Sequence, residues 1–146
     1  MMQFTGSVRT RLSAGFTLIE LMVVVVIATI LVTIAIPSYN AQMRESRRTE
    51  ARTALLELAA REERYFATNA AYSSTPASLG YTGSFPQSVG SGYYELNVAL
   101  GNPATTYTAT AAPQGNQAVD SCGTFQIDNT GSQTVSGSTA ASTCWQ

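Results

Sequence analysis

Gly15-Phe16-Thr17-Leu18-Ile19-Glu20 runs without a break into an apolar stretch at residues 21–36, and the fold is decided at that junction. About twenty residues from Phe16 onward are enough for a helix to cross the hydrocarbon of a bilayer. Val23, Val24, Val25 and Val26 are β-branched and poor helix formers in water. In lipid every backbone group must bond within its own segment, so the helix prevails there. One carboxylate, Glu20, sits just inside the apolar run. A charge at the centre of a bilayer costs roughly 2.5–3.5 kcal/mol on insertion scales, so Glu20 needs a partner or a task.

The rest of the composition narrows the function by exclusion. At 146 residues the chain has room for about one domain. All its basic residues are arginines, they lie between Arg9 and Arg64, and only Glu95, Asp120 and Asp128 carry charge beyond them. Read this way, the C-terminal part is a weakly acidic head without the basic surface that nucleic acid requires, and no nucleic-acid partner is expected. Histidine is absent and Cys122 and Cys144 are the only cysteines, so neither a His/Cys metal site nor a histidine-based triad can be assembled. Without a nucleophile–base pair, an acidic cluster or a phosphate loop, no enzyme activity, cofactor or metal is expected.

Beyond the apolar run, Pro37 either ends the helix or bends it. No breaker follows in residues 41–67, where Ala51, Leu55, Leu58 and Tyr65 recur at heptad-like spacing as a core stripe. One helix from Phe16 to about Phe66, bent at Pro37, is therefore expected, roughly 75 Å long at 1.5 Å per residue. Glu57 and Arg61 are spaced for an i,i+4 pair on its outer side. Residues 68–92 read as a connecting loop. Strand patterns follow at 93–100 (Tyr94, Leu96, Val98 and Leu100 inward), 106–111, 122–128 (Phe125 and Ile127 inward) and 132–135, with Asn129-Thr130-Gly131 as a hairpin turn. The expected architecture is α+β, an antiparallel sheet of about four strands on the second half of the helix. So small a head gains from a staple, and Cys122 with Cys144 can be one bond or two free thiols.

The Gly-Phe-Thr-Leu-Ile-Glu junction resembles the prepilin signature of type IV pilins and of type II secretion pseudopilins. The resemblance is strong over residues 15–60 and only general in the head, whose order of features looks most like minor pilins of the PilE type. It implies a type IV pilin fold and a leader, residues 1–15, removed by prepilin peptidase between Gly15 and Phe16. It implies N-methylation of the new Phe16 amine, pairing of Glu20 with a subunit's terminal amine during assembly, and a Cys122–Cys144 disulfide closing a C-terminal loop. Residues 16–37 would then form the transmembrane and assembly helix, 38–67 its amphipathic second half, and 93–146 the sheet head. The partners implied are prepilin peptidase, other pilin subunits, the inner-membrane assembly machinery and the membrane, crossed once. The N-terminus would be cytoplasmic and the head periplasmic before assembly, with an extracellular fibre afterwards. Arg9 and Arg11 favour that orientation, whereas Arg44, Arg47, Arg48 and Arg52 beyond the helix oppose it. The function expected is a structural subunit of a type IV pilus, minor or major, serving assembly, twitching motility or adhesion. The alternatives are a secretion pseudopilin and a DNA-uptake competence pilin.

Overall fold

The computed structural model describes residues 15–146. The expected leader, with Arg9 and Arg11, lies outside them except for Gly15. The chain divides into two compact units, Met1–Tyr39 and Asn40–Gln146.

A single helix, α1 (Leu18–Asn69), runs through both units and is uninterrupted at Pro37. Its start is written in the junction itself. Thr17-Leu18-Ile19-Glu20 has the spacing of a capping box, and the Thr17 hydroxyl accepts the Glu20 backbone N–H at 3.3 Å. In the first unit the large apolar side chains of α1 are exposed, and its best 18-residue window has a mean hydropathy of 2.9. The hydroxyls of Thr29 and Thr33 donate to the carbonyls of Val25 and Ile30, which removes two polar groups from that surface. At the other end Ala70 adopts a left-handed φ of 53° and its N–H caps the Phe66 carbonyl, stopping the helix.

The second unit carries a five-stranded antiparallel meander in the order β1 (Gln87–Val89), β2 (Tyr94–Leu100), β3 (Tyr107–Pro113), β4 (Phe125–Asp128) and β5 (Gln133–Val135). The register builds a large–small–large interior. Leu96, Ala111 and Phe125 form one row across β2, β3 and β4, and Val98, Ala109 and Ile127 form the next. The alanines leave a trough along the central strand, and fully buried Ala51, Leu55 and Leu58 of α1 belong to the same core. The opposite face is polar, with Asn97, Thr110, Gln126 and Thr134 in register across four strands.

Three expectations need correction. The sheet has five strands, the fifth being β1, three residues inside the expected loop 68–92 that pair with Tyr94, Glu95 and Leu96. Such a short edge strand has no readable alternation. That loop also holds a 3-10 turn, Pro76–Leu79, which buries Pro76 and Leu79. Finally, β4 begins at Phe125 rather than at Cys122. The Cys122 carbonyl is taken by the N–H of Gly137 and the Ser121 carbonyl by that of Thr139, so this segment binds the tail instead of continuing the strand.

Candidate functional site

In the first unit the residues singled out by sequence lie close together at the start of α1. Gly15 is exposed with open space around its Cα, as close approach by another protein requires. Phe16 is 80% exposed. The Glu20 carboxylate accepts no hydrogen bond and makes no ion pair among the described residues. Its position in the first turn places negative charge at the positive end of the helix dipole. The surface behind it is an unbroken apolar face that no other part of the described chain covers. Chemically, this end of the molecule can offer an apolar rod and one acceptor of positive charge.

The second unit is organised around the Cys122–Cys144 disulfide. The tail returns along β4 and β5 through Ser136 N–H to the Thr124 carbonyl and Trp145 Nε1–H to the Thr134 carbonyl, with Trp145 edge-on to Phe125 at 5.5 Å between ring centres. Gly137 is required there, since a Cβ would collide with the backbone of Ser121 and Cys122. Two arginines of α1 clasp the two ends of the loop. Arg48 binds buried Asp120 in bidentate fashion, Nε to Oδ2 at 2.8 Å and Nη2 to Oδ1 at 2.5 Å. Arg52 donates to the carbonyls of Cys144 and Gln146, and Glu45 accepts from both arginines. Gln117 and the Tyr94 hydroxyl complete the shell around Asp120. Burial alone would push the Asp120 carboxyl up, but the Arg48 hydrogen bonds and charge outweigh it and hold the carboxyl below its ordinary value. Burial pushes the Tyr94 phenol up to about 12.

This arrangement also revises the charge reading. The compact unit begins at Asn40, so it joins the six arginines of the second half of α1 to a sheet head that has none of its own. Most are committed to the fold. Arg48 and Arg52 hold the disulfide loop, and Arg47 lies 3.4 Å above the Tyr93 ring. Arg61 pairs with Glu57 as expected, donates to the carbonyls of Leu79 and Gly80, and stacks on Tyr81. Arg61 and Arg64 line an open groove of about 410 Å³ with Tyr65, Thr68 and Ser78. Arg44 and Arg64 make no ion pair among the described residues.

Sequence reasoning missed two further polar groups of the head. Glu50 accepts the Ser91 N–H and hydroxyl, and those bonds lower its pKa. Glu62 is completely buried. The Arg48–Asp120 pair spans 72 positions and had no local signal, but Glu62 did have one. It stands four residues after Leu58 and three before Tyr65, in step with the core stripe.

Two family models match adjoining stretches of the chain. The prokaryotic N-terminal methylation motif matches residues 10–36. The model described as type IV minor pilin ComP, DNA uptake sequence receptor, matches residues 37–126. No curated protein sequence matches. Among solved structures, a type IV pilin from Shewanella oneidensis is similar, 23% identical, covering 62% of this chain and 89% of that one, with a TM-score of 0.48. The two models meet at Ile36–Pro37, where the apolar half of α1 gives way to the half that packs the head, and the second spans well over half the chain: the protein belongs to this family of type IV minor pilins.

Proposed function

We propose that the protein is a minor subunit of a type IV pilus, anchored in the inner membrane by its apolar helix with the head in the periplasm, and then built into the fibre. Prepilin peptidase cuts between Gly15 and Phe16, the Phe16 amine is methylated, and Glu20 pairs with the terminal amine of another subunit. The observation that carries this reading is an uncovered apolar helix face bearing one unpaired carboxylate next to an accessible glycine. An amine and a carboxylate are each costly alone in an apolar medium, and one offset between neighbouring helices lets them meet. The pair therefore sets subunit register.

Mixed expression with native subunits, followed by shearing and quantitative mass spectrometry of the fibres, tests this. The mature chain should start at a methylated Phe16, and a bulky residue at Gly15 should leave uncut precursor in the membrane. Glu20→Ala should insert normally yet be depleted from fibres, with Glu20→Gln only partly restored because an amide cannot neutralise a buried ammonium. Equal incorporation of Glu20→Ala would remove the register role. Recovery with secretion-system components, and none in surface fibres, would favour the pseudopilin alternative.

A second reading rests on the matched family's description, which names a DNA uptake sequence receptor. Expecting no nucleic-acid partner rested on the sheet head, which has no arginine, whereas the compact unit also includes six arginines of α1. In this reading Arg44 and Arg64 contact phosphates, since the other four head arginines are engaged within the fold. Duplex DNA titrated into the detergent-solubilised chain at low salt should then bind with a steep salt dependence. Arg44→Gln with Arg64→Gln should abolish that binding. Absence of binding at low salt would leave the purely structural subunit.

A further inference from the structure

The proposed assembly step makes no use of Glu62, yet it is the most unusual ionisable group in the head. It is completely buried on the packed face of α1. Its Oε2 accepts the Ser73 backbone N–H at 3.0 Å, and its Oε1 has no hydrogen-bond partner. The ionisable groups around it are Glu63 on α1, Tyr72 on the segment that follows, and Tyr107 on β3, with Asp128 of β4 beyond Tyr107. None of these supplies positive charge. Arg61, its neighbour in sequence, is turned away to Glu57 and the Leu79 carbonyl.

A carboxylate with one bare oxygen, no cation and a like charge beside it is expensive in a packed interior, whereas the neutral acid is far cheaper. Ser73 lies in the segment that carries the chain from α1 towards the sheet. That segment is held by three ties: the Glu62–Ser73 bond, Tyr72 N–H to the Ala104 carbonyl, and the Tyr72 hydroxyl to Glu63. Tyr72 is also stacked on Phe66 at 4.5 Å and meets Tyr107 edge-on at 4.7 Å.

We propose that Glu62 is a proton-operated latch. Carrying a proton, it sits neutral beneath the 72–75 segment and keeps it seated against α1 and β3; losing the proton as the surroundings turn alkaline loosens that seat. The direction follows from linkage. Burial, with the charge of Glu63, outweighs the Ser73 hydrogen bond that favours the carboxylate and raises the Glu62 pKa in the folded chain above its unfolded value. The folded state then holds the extra proton, so stability is complete below the unfolded value and falls as pH rises through the folded one.

The composition makes the test clean. The chain has no histidine and no free cysteine, so between about pH 5 and 8 no side chain with an ordinary pKa titrates. Melting of the full chain in detergent micelles should therefore fall as pH rises across that range. Glu62→Gln, which mimics the neutral acid, should melt at nearly one temperature throughout and above the native chain at pH 8. Carbon-detected NMR of the glutamate carboxyls should show one group, missing in Glu62→Gln, titrating above the others, with the Ser73 amide exchanging faster as it does. Parallel melting profiles for the two chains, or a Glu62 signal titrating with the exposed glutamates, would overturn the latch.

Discussion

Asp120 and Glu62 are both buried carboxyls in one small head, and their opposite behaviour comes from one difference. Asp120 faces a guanidinium and Glu62 does not. Removing Arg48 would strand a buried charge, so Arg48→Ala should destabilise the head by about 3 kcal/mol. Asp120→Asn should cost less, because the amide keeps part of the hydrogen bonding and Arg48 retains Glu45; chemical denaturation of both variants checks the order. The two carboxyls also act on the pH profile in opposite senses. Asp120, with its depressed pKa, contributes stability that is present above the ordinary carboxylate range and lost as pH falls through its folded value. Glu62 contributes in the opposite sense, so thermal melts across pH should peak in mildly acidic solution. A maximum at or above pH 8 would contradict that sum.

Among the elements, β3 is the one whose sequence looks least committed, threonines alternating with alanines, and it occupies the centre of the sheet. Ala109 and Ala111 are fully buried between larger residues on β2 and β4. Their smallness is what admits the helix, so Ala109→Leu should overpack the core and cost about 1–3 kcal/mol in denaturation. The disulfide loop is a second such element. Cys122 and Cys144 are 22 positions apart, and replacing both with serine should lower stability by about 3 kcal/mol. Hydrogen exchange should then rise first at Gly137 and Thr139, whose N–H groups bind the Ser121–Cys122 backbone.

At the scale of the whole chain the two units differ in surface, the first exposing an apolar helix up to Tyr39 and the second, from Asn40, enclosing a core of its own. Glu20→Ala should therefore leave head melting unchanged while lowering fibre incorporation, and a shifted head transition would show the units to be coupled. The arginines that oppose the expected orientation, Arg44, Arg47, Arg48 and Arg52, lie in the second unit, where three of the four are tied into its fold by Glu45, Asp120, Tyr93 and main-chain carbonyls. The sequence by itself determined whatever depends on nearest neighbours and solvent: the apolar helix, the core stripe and the inward faces of the longer strands. Periodicity and hydropathy are local quantities, so they can be read in order along the chain. Only the tertiary structure decided β1, the late start of β4, the Arg48–Asp120 clasp and the uncompensated burial of Glu62. Each depends on which distant segment supplies a backbone partner, a counter-charge or none, and that is fixed when the chain closes on itself rather than by the residues on either side.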